Sequence, residues 1–277
     1  MTQITASEVN NLRKQTGAGM MDCKKALLET NGDFDQAIDV LRKQGQKVAA
    51  KRADRETSEG VVLSMVNEKK TIGAVVSLNC ETDFVAKNTD FVELAKSFLK
   101  LALGAQSESI ESLKSVSFNS EMSIADKLVE QTGVIGEKLE LNNYAIIQAD
   151  YVSAYVHPGN KLASLVGLNQ NGDDLEEIGR NVAMQIAAMN PLGLLESDIP
   201  QDIIEKEIEI GKDLARQEGK PDEMLEKISM GRLKKFFKEN TLINQTYIKD
   251  SKQTIMQYLQ SFNQDLNVTE FRRVNLS

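Results

Sequence analysis

An α+β fold is expected: a small three-helix N-terminal module, then two similar subdomains of antiparallel sheet plus helices, with an inserted antiparallel helical hairpin. Three observations predict it. Three short amphipathic periods, separated by Gly-containing turns, fill residues 1–45. A strand–turn–strand–helix pattern occurs twice, beginning at residues 60 and 153. A charged stretch at 202–239 keeps helical apolar spacing on both sides of Gly219-Lys220-Pro221. These mark a module at 1–45, a linker at 46–59, a first core subdomain at 60–150, a second at 151–199 and 240–277, and a hairpin protrusion at 200–239.

The first helix is announced by a capping box, Thr5-Ala6-Ser7-Glu8, in which each side chain satisfies the other residue's backbone N–H. Val9 and Leu12 follow on one face, and Gly17-Ala18-Gly19 breaks the chain. A second helix at 20–30 turns Cys23, Ala26 and Leu27 toward a core. Asn31-Gly32-Asp33 makes the next turn, and Asp33 with Gln36 caps a third helix carrying Ala37, Ile38 and Leu41. So small a bundle buries little apolar surface, which suits a recognition module better than a catalytic scaffold. Residues 46–59, charged and Ala-rich, read as a partly helical linker.

Beyond the linker the chain repeats itself. Residues 60–66 and 71–78 are dense in β-branched side chains and flank Asn67-Glu68-Lys69-Lys70. A helix follows, capped by Asp90 and Glu93, with Phe91, Leu94, Ala95, Phe98, Leu99 and Ala102 as its apolar stripe. The second copy has strands at 153–156 and 162–168, the turn His157-Pro158-Gly159-Asn160-Lys161, and a helix opened by Asp174 and Glu177. Leu175, Ile178, Val182 and Ile186 line that helix. Aligning Leu78-Asn79 with Leu168-Asn169 gives an offset of 90, whereas aligning Asp90 with Asp174 gives 84. The first copy therefore holds six extra residues within 80–88. A loop that the sister copy lacks is not needed for the shared fold, so it is a functional candidate. In the hairpin, Ile204, Ile208, Gly211 and Ala215 mark one seam and Leu225, Ile228 and Phe236 the other. A short helix at 254–262 and a strand at 268–274 complete the chain.

Composition narrows the function. Apolar residues make up 41% and charged residues 27%, the balance of a globular chain, and the net charge is −8. Residues 60–199 carry 19 acidic against 10 basic groups, while both flanks are near neutral. An acidic middle repels phosphodiester backbones, and 5% aromatics without Trp offer no base-stacking platform, so no direct nucleic-acid partner is expected. No run approaches roughly 18 apolar residues, and the start at 1–5 has no apolar leader, so no membrane partner is expected. Cys23 and Cys80, far apart in the chain, fit two free thiols in a reducing cytoplasm.

Chemistry of its own is not expected. The chain has no phosphate-binding Gly-x-x-x-x-Gly-Lys motif, and Gly17-Ala18-Gly19 lacks both the preceding strand and the third Gly of a dinucleotide turn. One His and two distant Cys do not make a zinc site, so neither metal nor cofactor is expected. His157, in a Pro-Gly turn, reads as a surface hydrogen-bonding residue, and Cys80-Glu81 as a strand end with a buried thiol. Two constellations remain. Met20-Met21 is either adaptable core packing or a plastic apolar patch for a partner helix, with Lys24 one turn on to meet an acidic residue. Asp83-Phe84 is either a turn with its Phe folded back, or an exposed wedge whose carboxylate competes for a hard cation.

Three stretches carry a resemblance: residues 12–27 (Leu-Arg-Lys-Gln-Thr-Gly-Ala-Gly-Met-Met-Asp-Cys-Lys-Lys-Ala-Leu), residues 79–88 (Asn-Cys-Glu-Thr-Asp-Phe-Val-Ala-Lys-Asn), and Gly219-Lys220-Pro221 through Gly231-Arg232, Lys234-Lys235-Phe236 and Gln245. Together they resemble the bacterial elongation factor Ts family, the nucleotide-exchange factors of translation. The resemblance implies that the three-helix module is similar to a ubiquitin-associated domain and docks on the G domain of elongation factor Tu, with Met20, Met21 and Lys24 at contact positions. It implies that Asp83 and Phe84, flanked by Thr82 and Val85, intrude on that partner's magnesium site. Ile135, in Val134-Ile135-Gly136-Glu137, and His157 match further contact positions. Self-association through the coiled-coil hairpin is one expectation for that element, whose role the sequence leaves open. Several relatives continue past the position of Phe271-Arg272-Arg273 into a helical tail. A different class of function, a ribosome-associated holding module for nascent polypeptides, is the alternative, because similar three-helix domains occur on ribosome-associated chaperones. The one-sided insertion argues against it, since a generic holding module needs no such loop.

Overall fold

The computed structural model describes residues 4–172 and 174–276. Residues 1–3, on which the reading of the start rests in part, lie outside the described residues. The fold is α+β, as the alternating patterns require. Contacts divide it into two compact units, one of residues 4–63, 75–145 and 275–276, the other of 64–74 and the described part of 146–274.

The first unit opens with α1 (Ala6–Thr16), α2 (Met20–Glu29) and α3 (Phe34–Lys51). The capping box forms as read: Glu8 N–H donates to Thr5 Oγ1 at 3.2 Å, and Thr5 N–H to a Glu8 carboxylate oxygen at 2.7 Å. Val9, Leu12, Cys23, Ala26, Leu27 and Ala37 close the core of these helices, each buried. Asp33 Oδ1 accepts from Gln36 N–H at 3.0 Å and starts α3. That helix continues past residue 45 to Lys51, because Ala49, Ala50 and the Lys side chains favour helix and α3 gains a second packing surface on α7 (Ile124–Ile135). There Gly45 meets Gly133 so closely that a Cβ on Gly133 would lie 2.4 Å from Gly45 Cα.

Then come β1 (Glu59–Val66), β2 (Ile72–Cys80), α4 (Asp83–Ala86), α5 (Thr89–Ala105), α6 (Ile110–Lys114), α7 and β3 (Glu140–Gln148). The sheet order is β1-β2-β3. Gly73 to Cys80 are all buried, since β2 is the central strand and both of its faces are covered. The second unit contains β4 (Tyr151–Val156), β5 (Leu162–Leu168), α8 (Leu175–Met189), α9 (Gln201–Gln217), α10 (Asp222–Asn240), β6 (Thr246–Tyr247), β7 (Asp250–Thr254), α11 (Ile255–Gln260) and β8 (Val268–Asn275). Its main sheet runs β4-β5-β8, with β4 and β5 antiparallel and Ser153 opposite Val166. Again the central strand is the most buried, and Val166 and Leu168 pack with Ile178, Val182, Ile186, Tyr258 and Leu259.

The repeat extends to the backbone. Asn67 N–H donates to Ile72 O at 2.9 Å and Lys70 N–H to Asn67 O at 3.0 Å. At an offset of 90, His157 N–H donates to Leu162 O at 2.8 Å and Asn160 N–H to His157 O at 3.0 Å. Lys70 and Asn160 share the left-handed φ, 53° and 55°. At an offset of 84, Gln106 and Asn190 close α5 and α8 with φ of 49° and 45°. The change of offset brackets the insertion between strand and helix.

Several local expectations are corrected. Asn88, not Asp90, caps α5: its side chain accepts Asp90 N–H at 2.8 Å from an extended backbone, which places Asp90 already inside the first turn. Asp174 precedes α8 with helical φ and ψ of −73° and −11°, so its carboxylate makes no cap bond. β2 runs through Cys80, which moves the six extra residues into 81–88, where four of them coil into α4. The hairpin seam on α10 is Leu225, Ser229 and Leu233, with Ile228 and Phe236 only half-buried. Ser229 is admitted because Gly211 faces it, leaving room beside the α9 backbone, and its hydroxyl donates to Glu226 O at 2.8 Å. Among the described residues no helix is long and apolar enough to cross a membrane.

Candidate functional site

The insertion is a built turn. Thr82, in extended conformation, is the N-cap of α4: its Oγ1 accepts Val85 N–H at 3.5 Å, and its carbonyl accepts Ala86 N–H at 3.2 Å. Ala86 is buried beneath, so the turn presents its other face outward. Phe84 stands on that face, 84% exposed, the most exposed large apolar side chain among the described residues. It is not folded back onto its own core. Asp83 is half-buried, and Lys87 Nζ lies 2.6 Å from its Oδ2. That ion pair raises the Lys87 ammonium above its ordinary range.

What fixes the turn lies in the loop after α7. Glu137 Oε2 accepts the backbone N–H groups of Glu81 and Thr82 at 3.1 and 3.0 Å, and its Oε1 accepts the Thr82 hydroxyl at 2.6 Å. In return Glu81 Oε1 accepts Lys138 N–H at 2.6 Å. Arg52, the residue that ends α3, donates from Nη1 to both Glu81 oxygens at 2.7 and 2.9 Å. The Lys138 N–H and then Arg52 hold the Glu81 carboxyl below the usual carboxylate range. Cys80 caps the strand from inside: burial, with the Glu137 carboxylate nearby, pushes its thiol up to about 12, and Sγ donates to Thr82 O at 3.2 Å. Such a thiol is unreactive. Both cysteines are free and buried.

Of the other expected residues, Met20 and Met21 are 54% and 62% exposed at the start of α2, and Lys24 is exposed one turn on. The core of the module is closed by Cys23 and Leu27 instead, so the two Met side chains are not its packing. Ile135 is half-buried at the last turn of α7, two residues before Glu137, so the same segment that carries Ile135 anchors the Thr82 turn. His157 belongs to the second unit and is exposed in its β-turn, with Nδ1 3.1 Å from the Tyr155 hydroxyl. Arg52 and the anchoring roles of Glu137 and Glu81 have no signal in the sequence, where Glu81 reads only as part of a strand end. Glu137 ended a quoted stretch, but nothing local tied it to a residue 55 positions away. Among the described residues no group of three or more His, Cys, Asp and Glu side chains is gathered as a metal site.

The chain is thus a duplicated α+β scaffold with one exposed aromatic turn on one copy. The family model described as Elongation factor TS matches residues 81–277, and the chain belongs to the elongation factor Ts family. It is 54% identical over 276 residues to the Elongation factor Ts of Christiangramia forsetii and 52% identical to that of Flavobacterium psychrophilum, covering 100% of each chain in both comparisons. Against the Elongation factor Ts of Amoebophilus asiaticus it is 48% identical over 98% of each chain. Its role is that of a translation elongation factor.

Proposed function

We propose that the chain is a guanine-nucleotide exchange factor that binds elongation factor Tu carrying GDP and promotes GDP release. The observation that carries this reading is Phe84, 84% exposed on a preformed turn that only one of two otherwise matching copies possesses. A GTPase of this kind holds GDP partly through magnesium, coordinated by phosphate oxygens and a phosphate-loop hydroxyl. Phe84 enters beside that site as a wedge, Asp83 brings a carboxylate toward the cation, and Thr82 and Val85 shape the turn that carries them. Met20, Met21 and Lys24 dock the three-helix module on the G domain, and Ile135 and His157 add contacts that hold the partner in register.

Linkage then does the rest. A factor that binds the empty partner more tightly than the nucleotide-bound form weakens nucleotide binding by the same ratio. No covalent step is asked of this chain, and it acts as a protein-binding factor in the cytoplasm, without a cofactor of its own. The test is release of a fluorescent GDP analogue from elongation factor Tu. Substoichiometric amounts of this chain are expected to accelerate release over many turnovers. No acceleration, or tight GTP binding by the isolated chain, would overturn the reading.

A further inference from the structure

In each copy, the end of the central strand lies beside the start of the third strand. The two copies bridge this junction through different residues, since the position of Asn169 is taken in the first copy by Asn79, whose side chain donates to Thr57 O at 2.9 Å instead. In the second copy a neutral pair does this: Asn169 N–H donates to Asn267 O at 3.1 Å, and Asn267 N–H donates to Asn169 Oδ1 at 2.8 Å. In the first copy two carboxylates do it, each reaching across to the other segment. Glu81 takes the N–H of Lys138, and Glu137 takes those of Glu81 and Thr82. Glu81 lies in the inserted segment, beyond the positions that the second copy shares, so its bonds and those of Glu137 serve the insertion as well as the sheet. Glu137 does one thing that Asn267 has no counterpart for: it also accepts the hydroxyl of Thr82, the residue that caps α4.

We propose that Glu137 is a positioning residue for nucleotide exchange, holding the turn that carries Asp83 and Phe84 in its inserting form, with Arg52 and Glu81 as the counter-anchor. Three hydrogen bonds converge on this one carboxylate, two from backbone N–H groups at ordinary length, 3.1 and 3.0 Å, and a short one of 2.6 Å from the Thr82 hydroxyl. A four-residue helix is far too short to hold itself in water, so its shape comes from what clamps its first turn. The clamp removes the ordering cost of the turn before the partner arrives. Because Arg52 is the residue that follows α3, the same clamp ties the turn to the end of that helix.

This role rests on the exchange reading, and the experiment separates the two. In the free full-length protein, amide hydrogen exchange at residues 81–85 is expected to be at least about tenfold faster in Glu137→Ala than in wild type, with the melting temperature within a few degrees. In stopped-flow GDP release, the maximal rate of Glu137→Ala is expected to fall on the order of tenfold, while the half-saturating concentration changes less than about threefold. Glu137→Gln, which keeps one carbonyl acceptor, should fall between them. It also carries the test should the Ala variant fail to fold. A variant with wild-type maximal rate, or a loss confined to the half-saturating concentration, overturns the positioning role alone. Wild-type protein that releases no nucleotide overturns the exchange reading and this role with it.

Discussion

Phe84 and Glu81 stand three residues apart and obey opposite rules. Phe84 is a large apolar group left in water, while Glu81 is a carboxylate drawn into a lattice of donors. The sequence alone left Phe84 between two conformations, because an aromatic residue in a loop is compatible with either; its exposure decides that the side chain points outward. Glu81 yields a pH prediction. Its folded pKa lies below the ordinary carboxylate value, so its contribution to stability is present above that value and is lost as pH falls through the folded pKa. Wild type should therefore melt above Glu81→Gln at pH 7, and the gap should close as the pH falls below about 4. A gap that stays constant down to pH 3 would show that the charge of Glu81, held by the Lys138 N–H and then by Arg52, contributes nothing to stability.

At the scale of elements, periodicity made most of the helices legible: α1, α2 and α8 bury the stripes that spacing assigned to them, and α5 does so except for Leu94, which is half-buried. β3 was not legible, because Glu140–Gln148 mixes exposed, half-buried and buried positions without alternation and its place is set by β2. The helix crossing of α3 on α7 was equally silent, since two glycines far apart in sequence give no local signal. That crossing can be tested. Gly133→Ala drives a Cβ to 2.4 Å from backbone rather than a yielding side chain, so the cost should be about 1–3 kcal/mol in urea unfolding. An unchanged midpoint would mean that α3 and α7 separate freely. The hairpin makes the opposite case. α9 and α10 bury mainly Gly211, Ala215, Leu225, Ser229 and Leu233 against each other. Replacing 202–239 by a short flexible linker should leave a cooperative melt and part of the exchange activity, and should reduce any self-association. A chain that no longer melts cooperatively would show that the hairpin belongs to the core.

The whole molecule is built on a duplication in which one copy alone is altered between strand and helix. The offset from 90 to 84 was readable in the sequence, and the backbone turns and helix caps keep the same two offsets. The carboxylate clamp beneath the insertion was not readable, because it joins segments that only the folded sheet brings together. Phe84 stands outward and takes no part in the buried core. The most direct measurement is GDP release from elongation factor Tu by wild type, Phe84→Ala and Asp83→Ala across magnesium concentrations, with thermal unfolding of each. Burying a Phe in the partner is worth roughly 1.5–3 kcal/mol, so Phe84→Ala should slow release about tenfold to 150-fold while melting as wild type does. Asp83→Ala should lose activity mainly when magnesium is present. A Phe84→Ala protein that melts several degrees lower yet exchanges normally would contradict the account.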